Sequence, residues 1–579
     1  MKNMHFFERT ITGRAYRMAA EAIWDAAAKR SVARQVVLGP AEGPQPADLS
    51  TAEKVGSKRV GDVGALLWVA EQLDVIGCIN RVCSQVCPAG EVTLGEMVLA
   101  VAVQRACSPG PKSDLAEFLG GCLPLVSCLA ADRFTGQAFH RLASRVEAAM
   151  LDDVQVELAR VAVQRFELAT NVLAFDTTNF DTHIDTTTEG QLARRGHAKS
   201  KRSDLRVVGL GLLASETGQV PLLYRTYPGN GSDQAVLGEC LDSLGKLHDA
   251  LDEGQGRRRP AERTLVRDGG FWSEQLELEL EFVGYFSIIS LPLGHGAAQG
   301  ALDHAAEPRA MKRLSGPYKD VRVARLRTQV GSLDRTLVVV ESKELLEGQK
   351  RGIAAALKKA RDELQLLERR ANSGKLSRNQ LELRVAHALR REHLKDFVVV
   401  EIGGEQNAPT FRWYVDESRR RHLEKTRLGR RVLCTDQHSW RTERIVAGFR
   451  GQWNVEELFR RAKGGGIVPW GPSHQWADAS LRLHTFATVL GLMLVSLARL
   501  ALKQEGSTKA MMESLADIDA TLLRPYTGKK GRPPTIYVRP KLSANQLQAV
   551  EIFELARWMP SLSSSRAFRR GTTREELLE

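Results

Sequence analysis

The sequence predicts an α/β fold, in which a mixed sheet flanked by helices is interrupted by an α+β insertion and preceded by a helical domain. Apolar residues recur at helical spacing from Gly61 to about Arg165, and short strand-like runs alternate with helical segments from Thr170 onward. A long stretch of mixed pattern then separates these strands from a late amphipathic helix. We therefore divide the chain into an N-terminal segment with a linker, a helical domain, a first core part, an insertion, a second core part and a tail: 1–60, 61–168, 169–292, 293–440, 441–505 and 506–579.

The composition favours a polyanionic partner without requiring one. The 579 residues include 82 Lys and Arg against 69 Asp and Glu, which gives a net charge of +13 and an isoelectric point near 9.4. Such a balance promotes binding to nucleic acid through counterion release, although many basic proteins bind none. A hydrophobic content of 43% and a charged content of 26% are typical of a soluble globular protein.

Neither export nor a membrane partner is expected. The N-terminus lacks the apolar core of a signal peptide, and the most apolar stretch, Thr485 to Leu502, contains Arg499 and predicts a buried helix. Cys83 and Cys87 could begin a zinc site, but no matching Cys/His pair follows, which favours reduced thiols and a cytoplasmic location. No phosphate-binding loop is present, so ATP is not implied.

The N-terminal part is predicted to be an ordered start, a linker and a group of helices. The segment 39–46 is too rich in Pro and Gly for a core element, and apolar residues then recur at steps of three and four. The further helices expected before the core are Leu94–Cys107, Ser113–Leu119 and Phe134–Leu151.

Two aspartates follow short apolar runs in the first core part. Asp176 ends the run that begins at Asn171, and Asp268 ends the run that begins at Arg263. Each pattern predicts a buried strand that presents a carboxylate at its end, whereas a turn or N-cap residue is the alternative for either aspartate alone. The other elements predicted around them are strands at Leu205–Ala214, Val220–Tyr227 and Tyr285–Leu291, and helices at Asp233–Leu251 and from Ser273.

A basic run lies between the first two core strands. It extends from Arg194 to Arg202 and includes Lys199, Lys201 and Arg202 as candidate phosphate contacts. Such a run can grip DNA phosphates or form an ordinary solvated hairpin, and we favour the DNA contact.

The insertion contains a short heptad pattern. Apolar residues from Ile353 to Ala371 alternate four and three apart, and a second apolar series follows at Leu381, Val385 and Leu389. The two series can cover each other as a helical hairpin, which we favour over a coiled-coil contact between two chains. Strands are expected at Phe397–Ile402, Phe411–Val415 and Arg431–Thr435.

The run from Phe449 to Lys463 predicts one amphipathic helix. Its apolar positions can dock on a core, while Glu456 and Lys463 lie seven residues apart and project from one face. An acid and a base held together on a rigid helix suit a site for a metal ion and a phosphate. In isolation, an ordinary amphipathic helix with solvated charges explains the pattern equally well.

The order of the three acidic segments narrows these alternatives. A strand with Asp176, a strand with Asp268 and a helix with Glu456 follow one another as in an RNase H-like enzyme that acts on nucleic acid. Three clustered carboxylates would repel one another and therefore need divalent cations in order to coexist. Three strands followed by alternating helix and strand also match the order of an RNase H-like sheet.

The late helix resembles a known signature. Its spacing is similar to the Tyr-x2-Arg-x3-Glu-x6-Lys pattern of bacterial insertion-sequence transposases, the Asp-Asp-Glu enzymes of family four. Glu456 and Lys463 match, whereas Phe449 stands at the Tyr position and Gln452 at the Arg position. Gln452 lacks the charge of Arg, and Phe449 lacks the hydroxyl of Tyr. These changes leave a weakened or inactive enzyme as an alternative.

The resemblance implies a metal-dependent DNA transposase. Asp176, Asp268 and Glu456 would hold two Mg2+ or Mn2+ ions, and Lys463 with Arg460 would contact strand phosphates. Arg450 could replace the missing family Arg. The partners implied are double-stranded DNA, as terminal inverted repeats and target, and a second copy of the chain.

Several assignments stay open. The helical N-terminal domain would recognise DNA ends, as in similar transposases, or serve as a scaffold. His484 lies close to a family pattern or is a core histidine, and Gly528–Pro534 is a minor-groove contact or a basic linker. The rival functions are an RNase H-like nuclease without strand transfer and a decayed transposase that acts as a DNA-binding repressor.

Overall fold

The protein forms a mixed α/β structure that divides into two compact units. The structure, a computed structural model, describes residues 4–25, 30–41, 53–86, 91–185, 187–254, 261–391, 393–503, 506–524, 536–538 and 541–558. Unit 1 comprises the described residues of 1–265, 279–285 and 451–579, and unit 2 comprises Val266–Leu278 and Phe286–Arg450. The predicted insertion, 293–440, lies entirely within unit 2.

Four strands precede the helical domain, and the predicted ordered start is therefore a β-structure. They are β1 (Met4–Ile11), β2 (Arg14–Asp25), β3 (Arg30–Pro40) and β4 (Glu53–Arg59). The first three form an antiparallel sheet with β2 in the centre. The predicted linker at 39–46 begins at the end of β3, and its residues from 42 onward lie outside the described part of the chain.

The helical domain has the predicted character. Its helices are α1 (Gly61–Gln72), α2 (Val75–Val82), α3 (Leu94–Cys107), α4 (Leu115–Gly121), α5 (Leu123–Cys128), α6 (Gly136–Ala143) and α7 (Ala148–Arg165). The single helix predicted at Phe134–Leu151 is wrong, because α6 ends at Ala143 and α7 begins at Ala148. The Thr135 side chain accepts a hydrogen bond from Ala138 N and caps the first of them.

The predicted core elements are present. They are β5 (Val172–Thr182), β6 (Arg206–Ser215), β7 (Pro221–Pro228), α8 (Asp233–Gly254), β8 (Arg263–Arg267), α9 (Glu274–Phe282) and β9 (Tyr285–Leu291). In unit 1, β6 pairs antiparallel with both β5 and β7. Thr264 N donates to Asn171 O at 2.9 Å, which sets the start of β8 beside β5. The strand order in this unit is therefore β8-β5-β6-β7.

Unit 2 contains the predicted insertion. Its elements are α10 (Gly296–Ala306), β10 (Lys312–Arg313), β11 (Arg322–Val330), β12 (Leu333–Glu341), α11 (Lys343–Asn372), α12 (Arg378–Ala388), α13 (Leu394–Phe397), β13 (Val398–Glu405), β14 (Ala408–Val415), α14 (Glu417–Thr426) and β15 (Arg430–Thr435). The strands are ordered β10-β11-β12-β15-β9, and β13 pairs only with β14 among the described strands. The hairpin of β11 and β12 was not predicted, although its alternating apolar residues carry a strand signal.

The heptad residues of the insertion form an intramolecular hairpin, as predicted. Ile353, Leu357, Leu364 and the other seam positions of α11 are buried in one cluster with residues of α12, including Leu381. Phe411 from β14 is fully buried in the same cluster. The apolar side of α11 is therefore covered by its own unit.

The chain after the insertion is mainly helical. Its elements are α15 (Thr442–Arg450), α16 (Trp453–Ala462), α17 (Asp478–Leu502), α18 (Thr508–Ala516), β16 (Asp519–Arg524), β17 (Ile536–Val538) and α19 (Ala544–Ile552). The single helix predicted from Phe449 to Lys463 is wrong, because Gly451 and Gln452 separate α15 from α16. In unit 1, β16 pairs with both β4 and β17.

Helix α17 forms the centre of unit 1. It packs against α3 and α1, and most of its residues from Ser480 to Ala498 are buried, as the sequence predicts. Among the described residues, α17 is the helix that is long and apolar enough to cross a membrane. However, 83% of its most apolar window is buried within the fold. A core helix passes the same test, so this finding is weak evidence for a membrane span.

Candidate active site

Strand β5 places Asp176 on the sheet face opposite α8. Side chains alternate along a strand, and Thr177 points to α8, where its hydroxyl donates to Asp233 Oδ1 at 2.6 Å. Phe180 shares the face of half-buried Asp176, and its ring stacks on Trp470 with centroids 4.9 Å apart. Asp176 therefore belongs to the side of the sheet that Trp470 covers.

The helix that carries Glu456 docks on the same side. Helix α16 packs on β5 and β6 through a buried side that includes Val455 and Phe459. Trp470 N donates to Ala462 O at 2.7 Å, so the chain after α16 folds back along the end of that helix. Glu456 is exposed and adjoins the buried side. Unit 1 thus brings the Glu456 helix onto the Asp176 strand.

Two side chains fix α16 to the turn between β6 and β7. At its start, Asn454 Nδ2 donates to Glu216 O at 2.8 Å. Near its end, buried Arg461 donates to Ser496 Oγ at 3.2 Å and also bonds to Gln219 Oε1. Because the helix is held at both ends, its rotation relative to β5 is restricted.

The predicted basic loop lies against β5. Lys199 N donates to Asn179 Oδ1 at 3.0 Å, and Asn179 Nδ2 donates to His197 O at 2.8 Å. Ser200 Oγ donates to Asp181 Oδ1 at 2.8 Å. Sequence reasoning missed Asn179 and Asp181, although polar residues at alternate positions of a buried strand are a usable signal.

Lys463 interacts electrostatically with these groups. Lys463 is exposed as a whole, although its ammonium group is partly buried. This burial and the nearby charge of Lys199 lower the pKa of Lys463, whereas Asp176 and Asp181 raise it. The prediction that Lys463 lies on the same helix as Glu456 is wrong, because α16 ends at Ala462 and Lys463 has an extended backbone. Its position follows from the helix end, where three glycines come next in the sequence.

The other basic residues of the prediction have varied surroundings in unit 1. Lys201 adopts a left-handed backbone with φ of 65°, and Arg202 pairs with Asp204 at 2.5 Å. Arg460 is exposed and pairs with Glu457.

A glycine is required where the basic loop begins. A Cβ on Gly196 would lie 1.9 Å from Gly229 O, a separation that no side chain tolerates. The backbone of the loop therefore approaches the end of β7 more closely than any other residue type permits.

Asp268 lies in unit 2, directly after β8. Asp268 is exposed and precedes the short 3-10 turn Gly269–Phe271. It therefore lies at the end of the predicted strand and also at the N-cap position of this turn, which was the alternative for this residue. A Cβ on Gly269 would lie 2.5 Å from Ser290 O, so the sharp turn needs glycine. Arg267 is fully buried and donates to Glu277 Oε1 at 2.6 Å, which fixes the strand end next to Asp268.

The residues that depart from the signature are mostly buried. Phe449 in unit 2 is 8% exposed, and the Arg431 guanidinium lies 5.0 Å from its ring centroid. Arg450 in the same unit lies 4.8 Å from the ring centroid of Tyr318. Gln452, in unit 1, is also buried.

His484 is a core histidine, as the alternative reading of its pattern predicts. Its Nε2 contacts Trp470 O at 2.8 Å, and its Nδ1 contacts Lys112 Nζ at 2.6 Å. Burial lowers the pKa of His484 well below its usual range, and it lowers the pKa of Lys112 to about 7. A neutral imidazole that donates from Nε2 and accepts at Nδ1 satisfies both contacts.

The carboxylates of the prediction belong to different units. Asp176 and Glu456 lie in unit 1, and Asp268 lies in unit 2. Their oxygen donors suit Mg2+ chemically. Among the described residues, however, no group of three or more His, Cys, Asp or Glu side chains is arranged to hold a metal ion. The joint role of the three carboxylates remains a prediction.

Known proteins give little information about the function of this chain. No protein-family model matches the chain, and no curated protein matches it. The chain is similar to a piggyBac transposase in a synaptic complex with hairpin DNA, at 11% identity over 80% of this chain and 81% of that one. The TM-score is 0.35, so this likeness carries no argument about fold or function.

Proposed function

We propose that the chain is a DNA transposase of the Asp-Asp-Glu type, with Asp176, Asp268 and Glu456 as its catalytic carboxylates. One observation carries the proposal: the helix with Glu456 packs on the strand with Asp176, and Lys463 and Lys199 lie near that strand. Asp176 and Lys199 are close enough to Lys463 to act on its charge. The resemblance of the Glu456 segment to family-four transposases gives this group of charges a specific interpretation.

The strand order supports an RNase H-like core. In unit 1, three antiparallel strands occur in the order β7-β6-β5, and the start of β8 lies beside β5. Asp176 near the centre of β5 and Asp268 just after β8 suit the catalytic positions of such a core. Unit 1 would therefore form the main part of a catalytic core.

Each charged group has a role in the proposed reaction. Two Mg2+ or Mn2+ ions, held by the three carboxylates, would supply an activated nucleophile and stabilise the leaving oxygen. Lys199 and Lys463 would bind phosphates of the cleaved strand, and α16 would keep Glu456 oriented toward them. Joining two DNA ends requires two such sites, so the working form would be a dimer on terminal repeats and target DNA.

The test starts from inverted repeats found beside the gene. DNA that carries these repeats, with a labelled 3′-OH end, is incubated with protein, Mg2+ and a supercoiled plasmid. We expect the wild type to cut the repeat end and join it to the plasmid. Asp176→Asn and Glu456→Gln should abolish both steps, whereas Glu189→Gln, at another exposed carboxylate of unit 1, should retain them.

The same assay separates the rival functions. Cleavage without joining would indicate a nuclease of the same fold. Binding to the repeats without any Mg2+-dependent cleavage by the wild type would contradict the catalytic proposal and indicate a DNA-binding repressor. Normal activity of Glu456→Gln would show that Glu456 is not a catalytic residue.

A further inference from the structure

The positive charge of the chain is concentrated in the insertion. From the start of α11 to the end of β15, residues 343–435 contain 22 Lys and Arg against 13 Asp and Glu, a net charge of +9. The whole chain of 579 residues carries +13. This segment therefore supplies most of the net charge, although the candidate carboxylates lie outside it.

Helix α11 displays much of this charge on its free side. Between 351 and 370 it exposes two carboxylates, Asp362 and Glu363, and six cations: Arg351, Lys358, Lys359, Arg361, Arg369 and Arg370. We call these six cations the α11 basic surface. None of them forms an ion pair with a carboxylate of the described residues, whereas neighbouring Lys350 pairs with Glu424 at 3.5 Å.

The cations are aligned along the helix. Lys358 and Arg369 are 11 residues apart, as are Lys359 and Arg370, and 11 residues make three helical turns. Each pair therefore shares one side of α11 with a separation of roughly 16 Å. From Arg351 to Arg370 the surface is roughly 28 Å long, or about eight base pairs of duplex DNA.

We propose that the α11 basic surface binds the phosphate backbone of double-stranded DNA. The proposal rests on the proposed function, because it adds a second DNA contact outside the candidate active site. Like charges along a rigid helix repel one another, and a regular polyanion relieves that repulsion while it releases its counterions.

The packing of α11 disfavours other partners. A helix that lies in a membrane surface needs a free apolar side, but Leu357, Leu364 and the rest of the α11 seam are buried within unit 2. A protein partner usually needs exposed aromatic or apolar residues at the centre of its interface. The exposed side of α11 offers only Leu366 as a large apolar side chain.

The test measures binding of the full-length protein to a 30-base-pair duplex of random sequence, without divalent metal, across a series of salt concentrations. The variant is Lys358→Gln/Arg369→Gln. The control is Lys509→Gln/Lys541→Gln, which removes two exposed charges from unit 1. Circular dichroism verifies that both variants fold, which is expected because all four side chains are exposed.

The α11 variant should reduce the slope of log affinity against log salt by about two units, and it should bind about 60-fold more weakly at about 0.1 M salt. The control should bind like the wild type. An unchanged slope for the α11 variant overturns this inference and leaves the proposed function intact. Failure of the wild type to bind any duplex contradicts both.

Two further probes identify a different partner. If the α11 variant binds duplex DNA normally but loses binding to phosphatidylserine vesicles, the surface serves a membrane and the proposal is wrong. Normal DNA binding with lost binding to polyglutamate would indicate an acidic protein and is equally contrary to the proposal.

Discussion

Replacement of Arg461 by Met should destabilise unit 1 and loosen the helix that carries Glu456. The Arg461 side chain is 3% exposed and pairs with Glu457 at 3.2 Å, besides its bonds to Ser496 and Gln219. Burial lowers the pKa of this guanidinium, because its charged form loses hydration. Its loss leaves a mostly buried carboxylate and a buried amide with fewer partners.

The expected cost follows from that burial. Breaking a buried ion pair by removal of one partner costs about 3–5 kcal/mol, because the other charge remains in the protein interior. Glu457 also pairs with Arg460, so some compensation remains and the lower end, about 3 kcal/mol, is expected. This value corresponds to roughly a 100-fold change in the unfolding equilibrium constant.

Arg460→Met is the matched control. It removes the same functional group from the same carboxylate, but the Arg460 side chain is 66% exposed. An exposed ion pair contributes about 0–1 kcal/mol, so this variant should unfold almost like the wild type. The free energy of unfolding is measured by urea titration, followed by tryptophan fluorescence and circular dichroism.

The DNA-joining assay provides a second measurement on Arg461→Met, with the wild type as its reference, because Arg460 is itself a predicted phosphate contact. Arg461→Met should reduce end joining at temperatures where the protein is still folded, because Glu456 loses its fixed orientation. Equal unfolding free energies for the two variants would refute the reasoning, since they would show that burial of Arg461 does not stabilise the docking of α16.

Two further predictions concern the interior of each unit. Because burial lowers the pKa of Lys112 from 10.5 to about 7, the unfolded chain binds more protons than the folded chain between these values. The free energy of unfolding should therefore rise by roughly 1.5 kcal/mol from about pH 7 to about pH 8.5. Lys112→Met should abolish this rise in urea titrations, and persistence of the full rise would assign it to another group. In unit 2, Leu364→Ala should cost about 2–5 kcal/mol, whereas Leu366→Ala, at a half-exposed position of the same helix, should cost little. Hydrogen exchange of α11 measures both, and equal protection would contradict the hairpin core.

Local patterns predicted most of the elements. The strand Tyr285–Leu291 and the helix Leu94–Cys107 have the predicted bounds, because apolar periodicity and a capping Thr93 are local properties. The heptad seam from Ile353 to Ala371 likewise predicted an intramolecular hairpin, since a second apolar series follows close behind in the chain.

Local patterns did not predict two features of the structure. The periodicity from Phe449 to Lys463 continues across Gly451, so the sequence predicts one helix where the structure has two. The hairpin of β11 and β12 was not predicted, although apolar residues alternate along both strands. Gly451 and this alternation are both local signals, so neither difference depends on contacts between distant segments.

By itself, the sequence determined the chemistry available to this protein: three carboxylates on a strand, a strand end and a helix, and an excess of cations in the insertion. Only the tertiary structure decided which groups meet. Helix α16 reaches the strand of Asp176 because Asn454 and Arg461 bind the β6–β7 turn, more than 200 residues away along the chain. Likewise, the fold decided that His484 faces Lys112 in the core. Contacts of this kind depend on packing between distant segments, which no local periodicity encodes.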